Sequence, residues 1–148
     1  MSMNWPVEPD RYVPSRPTGV WILTIYALVF AGLYPMALSI TLLVTGNAGG
    51  AEWNLLLSLP LSLAIIVSAV IAWKGSNTGR IAFIVLVALN YVLIGVNNFL
   101  ALGTGNFPAE LRPQMFLRIA SGVLMPLIYI WYFCKRSTLE YYRYKNKK

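Results

Sequence analysis

The sequence predicts an all-α integral membrane protein, with four transmembrane helices in an antiparallel bundle. Of its 148 residues, 57% are apolar and only 11% are charged, whereas soluble domains carry roughly 25% charged residues. Four apolar runs reach the length of about 20 residues that a helix needs to cross a bilayer. None of these runs contains Asp, Glu or Lys. Most of the protein surface is therefore expected to face lipid.

The four predicted spans cover about 19–44, 54–73, 81–102 and 114–134, and together they form one transmembrane domain at 19–134. The first run has 26 residues, well beyond the roughly 7–15 of a signal-peptide core, so it is predicted to be retained. Pro35 is expected to kink or open the first helix, and Pro126 to interrupt the fourth.

The two terminal segments have different compositions. Residues 1–18 contain four prolines, and such a segment is expected to run extended along the cytoplasmic face. Residues 135–148 form a basic, tyrosine-rich cytoplasmic tail, which either continues the fourth helix or lies on the membrane.

Basic residues predict the orientation of the spans. Those at the two termini and between the second and third spans are Arg11, Arg16, Lys74, Arg80, Lys135, Arg136, Arg143, Lys145, Lys147 and Lys148. The two loops on the other side contain a single basic residue, Arg112. Because positive residues accumulate on the cytoplasmic side, both termini are predicted to be cytoplasmic in a multi-pass protein of the inner (plasma) membrane. The formal charge of +7 flanks apolar segments, so it indicates lipid headgroups as partners and not nucleic acid.

The inventory of reactive side chains predicts that the protein is not an enzyme. Histidine is absent, Cys134 is the single cysteine, and no predicted span contains a carboxylate. General acid–base catalysis and transition-metal binding use those groups. We therefore expect no catalytic residue, no metal and no cofactor.

Polar residues in the third span predict a packing face. Asn90 and Asn97 are two helical turns apart, and Asn98 lies on the adjacent stripe. Ser58 and Ser62 are spaced four apart in the second span, which is typical of close helix contacts. An amide in hydrocarbon must find a polar partner. We expect hydrogen bonds between helices of the bundle; the alternatives are a ligand, pigment or quinone at Asn97 or Asn98, and a helix of a partner subunit.

A further set of cations is predicted to contact lipid headgroups or a partner protein. It comprises Arg118, Lys135, Arg136, Arg143, Lys145, Lys147 and Lys148. Arg118 lies one turn into the fourth span, where an arginine side chain can extend to lipid phosphates or pair with Glu110. The C-terminal cations should each contribute about 1 kcal/mol near an anionic surface.

Two short stretches carry a family resemblance. Arg16-Pro17-Thr18-Gly19-Val20 precedes the first span, and a basic ending runs from Tyr132-Phe133 through Tyr141-Tyr142. With this pairing the chain resembles small bacterial four-helix integral membrane proteins of unknown function. The resemblance implies a four-helix membrane fold and a bacterial inner membrane, and it implies no activity.

Two functional hypotheses follow from these patterns. The first is a non-catalytic accessory or assembly subunit of a larger membrane complex, such as a respiratory or photosynthetic one, that packs against other integral membrane subunits. The second is a small transporter or channel, with a polar site on the third helix and helices opened at Pro35, Pro60 and Pro126.

Overall fold

Helices account for nearly all of the chain that the structure describes. The computed structural model describes residues 15–45, 52–103 and 109–146, and at 52–56, 109 and 146 it describes the backbone alone. The helices are α1 (Thr18–Ala27), a π-helical segment (Leu28–Leu33), α2 (Tyr34–Thr45), α3 (Glu52–Trp73), α4 (Asn77–Gly103), a 3₁₀ turn (Ala109–Leu111), α5 (Arg112–Phe133) and α6 (Arg136–Asn146). No strand occurs in these ranges, so the predicted all-α class is confirmed.

Three helical stretches are long and apolar enough to cross a membrane. They are Thr18–Thr45, Asn77–Gly103 and Arg112–Phe133, and a shorter apolar stretch is Leu57–Trp73 within α3. Each predicted span overlaps one of these stretches. Length and composition therefore agree with a helical membrane protein. Of the predicted extended segment 1–18, residues 1–14 lie outside the described residues, and Thr18 already belongs to α1.

The first stretch opens just before Pro35, as the sequence predicted, and the opening takes the form of a π-helical segment. Proline has no N–H to donate and its ring crowds the carbonyl four residues back. The Tyr34 N–H donates to the Val29 carbonyl, five residues back, which widens the turn. The expected interruption at Pro126 is not observed, because α5 continues through it, and α3 likewise continues through Pro60.

A tight turn joins α3 to α4. Gly75 has φ +93°, a left-handed conformation that glycine adopts without steric cost, and its N–H donates to the Ala72 carbonyl at 2.9 Å. The Ser76 hydroxyl then accepts the Gly79 N–H at 3.2 Å and caps the start of α4. This turn brings α3 and α4 side by side in antiparallel order.

The interior of the bundle is aromatic and aliphatic. Helices α4 and α5 share the most extensive contact, α3 packs against α4, and α3 also packs along the π-helical segment and α2. The fully buried large side chains include Ile65, Val87, Phe83, Tyr129 and Phe133. The Tyr129 hydroxyl donates to the Leu23 carbonyl at 2.9 Å, which links α5 to α1 through the core.

The C-terminal basic tail forms a separate helix, α6, that packs against α4 and α5. The chain turns at Cys134 and Lys135, so the tail does not continue α5. Tyr141 and Tyr142 of α6 are 8% and 1% exposed. Because α6 contributes side chains to the core cluster, residues 135–146 belong to the packed structure.

Candidate functional site

A cleft between α3 and α4 collects the amide side chains predicted from the sequence. Its volume is about 190 Å³, and its lining residues are Leu57, Ser58, Leu61, Asn90, Leu93, Ile94 and Asn97. Asn90 and Asn97 come from the same face of α4, as the seven-residue spacing indicated. Ser58 comes from α3, on the opposite wall.

The amide of Asn90 is buried and incompletely bonded. The side chain is 9% exposed, and its Nδ2 has no hydrogen-bond partner among the described residues. An unpaired buried amide costs about 1–3 kcal/mol in proteins and more in hydrocarbon. This nitrogen is therefore a buried donor without a partner, on a residue that lines the cleft.

The other predicted polar residues have different environments. The hydroxyls of Ser58 and Ser39 share a hydrogen bond of 2.7 Å, which links α3 to α2. Ser62 is 1% exposed and lies in the interior. Asn98 donates from Nδ2 to the Ile94 carbonyl of its own helix at 2.7 Å and does not line the cleft. The structure thus groups Asn90 and Asn97 with Ser58 and separates them from Asn98 and Ser62.

A second polar cluster lies at the α6 end of the bundle, which we call the basic end. Its first member is Arg16, whose Nε donates to the Tyr141 hydroxyl at 3.0 Å and whose Nη2 donates to the Trp73 carbonyl. The guanidinium also lies 5.0 Å from the centre of the Trp73 ring, within the range of a cation–π interaction. Arg16 therefore joins the chain before α1 to both α3 and α6.

Arg80 is the second cation of the basic end, and it is buried. It is 6% exposed, and its Nη1 donates to the Phe133 carbonyl at 2.8 Å, at the last turn of α5. Its guanidinium also lies 5.5 Å from the centre of the Tyr142 ring. Burial raises the pKa of Tyr142 to about 12, so this phenol stays neutral at physiological pH.

The two stretches that carry the family resemblance meet at the basic end. The Gly19 N–H donates to the Tyr132 hydroxyl at 2.9 Å, and a Cβ at Gly19 would overlap the Tyr132 ring. Arg16 of the same box bonds Tyr141 of the tail. The Arg-Pro-x-Gly-Val box and the tyrosine-containing ending are thus two sides of one interface.

Sequence reasoning missed this cluster. It used Arg80 as a topology signal and Arg16 as a topology signal and a member of the Arg-Pro-x-Gly-Val box, and it placed Tyr141 and Tyr142 in a tail outside the bundle. The available signal was the spacing of Thr138, Tyr141 and Tyr142 at i, i+3 and i+4, because this spacing places the three side chains on one face of a helix.

The predicted headgroup-contacting cations are surface residues where the structure describes them. Arg118, Lys135, Arg136, Arg143 and Lys145 are exposed, and Lys147 and Lys148 lie outside the described residues. Within the described ranges, Arg118 forms no ion pair with Glu110, and the single ion pair joins Arg136 to Glu140 at 2.9 Å. The basic end therefore retains a large excess of positive charge.

Residues 15–45, 52–103 and 109–146 contain no group of three or more His, Cys, Asp or Glu side chains that could hold a metal ion. Cys134 is a free, exposed thiol at the basic end. Comparisons of the chain with protein families, with curated proteins and with solved structures found no match. The α3–α4 cleft and the basic end are the two candidate sites of the described residues.

Proposed function

We propose that this chain is a non-catalytic membrane subunit that binds another integral membrane protein through the cleft between α3 and α4. The single observation that carries the proposal is the unpaired Nδ2 of Asn90 in a cleft that Asn97 also lines. In hydrocarbon such a donor costs several kcal/mol. A carbonyl or side-chain acceptor of a partner helix would satisfy it.

The size of the cleft favours a protein side chain over a cofactor. Its volume of about 190 Å³ is below the range of roughly 300–1,000 Å³ for pockets that hold small-molecule ligands. One or two side chains of a partner helix would fit.

The outer surfaces of the bundle are suited to lipid and to other helices. Large apolar side chains such as Phe99, Leu117 and Trp131 are 66%, 72% and 68% exposed. Such a surface is unfavourable in water and favourable in a bilayer. We propose that the four helical stretches all cross the membrane, with both termini in the cytoplasm.

The orientation is supported by the position of the cations. Arg16 near the start of the chain bonds Tyr141 near its end, so both described ends lie on one side of the bundle, together with Lys74 and Arg80. The native Cys134 tests the orientation. A membrane-impermeant maleimide should label Cys134 only after the membrane is permeabilised, whereas Thr45→Cys in a Cys134→Ser chain should be labelled in intact cells. The reverse pattern would refute a cytoplasmic basic end.

The partner-binding proposal is tested by native purification in a mild detergent, with Asn90→Leu as the test variant and Asn98→Leu as its matched control. Both substitutions remove one amide from α4, but only Asn90 lines the cleft. The wild type and Asn98→Leu should co-migrate with a larger complex, and Asn90→Leu should run as a small particle. A wild-type chain that is itself a lone small particle would contradict the proposal.

A photo-crosslinking amino acid identifies the face that is used. At Leu93, which lines the cleft, it should capture the partner. At Val123, a 61% exposed residue of α5, it should not. Equal capture from both positions would mean that the cleft is not the binding face.

A small transporter or channel is the second candidate function, and the π-helical segment at Leu28–Leu33 favours it. Departures of this kind from α-helical geometry recur at functional sites. Substrate-dependent flux into liposomes that Asn97→Leu abolishes would support this candidate. Flux that Asn97→Leu leaves unchanged would count against a transport site at Asn97.

A further inference from the structure

An apolar groove runs between α1 and α3 toward the basic end. Its volume is about 300 Å³, and its lining residues are Thr24, Ile25, Leu28, Ala69, Val70, Trp73 and Lys74. The lining presents no polar surface to the groove. An unbranched hydrocarbon chain fits such a space without leaving a polar group unpaired.

The groove exists because α3 packs against the π-helical segment and α2 but makes few contacts with α1. Gly32 of the π-helical segment permits the close approach there, since a Cβ at this position would lie 2.8 Å from Ile66 Cγ1. Toward the basic end the two helices leave space between Ile25 and Val70, which are 41% and 48% exposed. The groove is therefore open to the surface that faces lipid.

Cations stand where the groove meets the basic end. Lys74, the first residue after α3, lines the groove and is exposed. Trp73 lines it too, and the Arg16 guanidinium lies over the Trp73 ring. The Trp21 ring adds an aromatic neighbour, and the centres of the Trp21 and Trp73 rings are 4.3 Å apart. A lipid with its chain between α1 and α3 would place its headgroup beside these two cations.

The charge of the basic end determines which headgroup is favoured. The described cations there are Arg16, Lys74, Arg80, Lys135, Arg136, Arg143 and Lys145, and the one described carboxylate among them, Glu140, is paired with Arg136. Each lysine or arginine near a membrane surface attracts anionic lipid. A net-negative headgroup such as phosphatidylglycerol meets this surface better than the zwitterionic phosphatidylcholine.

We propose that the groove between α1 and α3 is a binding site for one anionic phospholipid, with an acyl chain along Ile25, Ala69 and Val70 and the phosphate at Lys74. The site is separate from the α3–α4 cleft. It rests on the proposed membrane insertion and does not require a partner protein, so it can be tested on the purified chain alone.

The test uses two single-tryptophan proteins in phosphatidylcholine vesicles, with the other tryptophans replaced by phenylalanine. One retains Trp73 in the groove. The other has all five native tryptophans replaced and carries Phe99→Trp, at a 66% exposed position near the end of α4 that lies away from the basic end, so it reports on bulk lipid. Phosphatidylglycerol or phosphatidylcholine brominated near the carboxyl end of the chain quenches tryptophans that it contacts. We expect phosphatidylglycerol to quench Trp73 more strongly than phosphatidylcholine at the same mole fraction, and the two lipids to quench the tryptophan of Phe99→Trp equally.

Two pairs of variants separate the headgroup from the chain. Lys74→Gln should lower the preference of Trp73 for the anionic lipid about fivefold, while Lys135→Gln removes the same charge outside the groove and should leave it intact. Val70→Phe should reduce quenching of Trp73 by both lipids, and Val123→Phe on α5 should not. Equal quenching of Trp73 by the two lipids, or an unchanged preference in Lys74→Gln, would overturn the proposal.

Discussion

Helices α4 and α5 approach each other closely at Gly95 and Gly122. A Cβ added at Gly122 would lie 2.7 Å from Gly95 Cα and 2.9 Å from the Tyr91 carbonyl oxygen. Both neighbours are backbone atoms, so neither can rotate away. Carbon atoms in ordinary contact are about 3.5–4.0 Å apart, so α4 and α5 would have to separate by about 0.8 Å to admit one methyl group.

We therefore predict that Gly122→Ala destabilises the bundle. Overpacking of this kind costs about 1–3 kcal/mol, and the better helix propensity of alanine offsets up to about 1 kcal/mol of it. The net loss in the free energy of unfolding should be about 1–2 kcal/mol. Gly122→Val should lose more, because it adds two further carbons and its helix propensity is lower than that of alanine.

The matched control is Gly103→Ala, at the end of α4, where an added Cβ meets nothing within 4 Å. Its stability should equal or slightly exceed that of the wild type. Thermal unfolding followed by circular dichroism in a mild detergent measures both. The expected fall for Gly122→Ala is about 2–8 °C, from 2–4 °C per kcal/mol for chains of this size. A Gly122→Ala protein as stable as Gly103→Ala would refute the close approach of α4 and α5.

Three further predictions concern the basic end. Tyr132→Phe removes the acceptor of the Gly19 N–H and should cost about 0.5–1.5 kcal/mol in the same unfolding assay; no loss would mean that water replaces the hydroxyl. Because burial raises the pKa of Tyr142 to about 12 from about 10 in an unfolded chain, its contribution to α6 packing should be complete below pH 10 and lost between pH 10 and 12. Tyrosinate absorbance near 295 nm should include a component that titrates near pH 12 and that Tyr142→Phe removes, and the persistence of this component in that variant would contradict the assignment. Glu140→Gln should change stability by less than about 0.5 kcal/mol, since the Arg136–Glu140 pair is an exposed i,i+4 pair, and a larger loss would indicate a further role for this carboxylate.

The asparagine stripe of α4 was predictable because it depends on a local geometric rule. Residues seven apart return to the same face of a helix, and Asn90 and Asn97 do line one cleft. The same rule did not reveal that Asn98 would bond its own helix at Ile94. Whether an asparagine of α4 bonds its own helix or lines the cleft depends on which face of α4 packs against α3.

The small-residue contacts were only partly predictable. The spacing of Ser58 and Ser62 in the second span suggested close packing, and Ser39 does bond Ser58 across α2 and α3. The close contact between Gly95 and Gly122 joins two single glycines on different helices. Neither belongs to a repeated small-residue pattern, so no spacing rule within one helix marks them.

The sequence by itself determined the all-helical class, the presence of long apolar helices and the grouping of cations at one end of the bundle, because these follow from local composition. Only the tertiary structure decided that Arg16 reaches Tyr141, 125 positions away, and that Arg80 reaches the Phe133 carbonyl. Such contacts depend on the rotation and the relative depth of separate helices. Apolar character encodes neither of these quantities, since a lipid-facing side and a protein-facing side of a membrane helix are both hydrophobic.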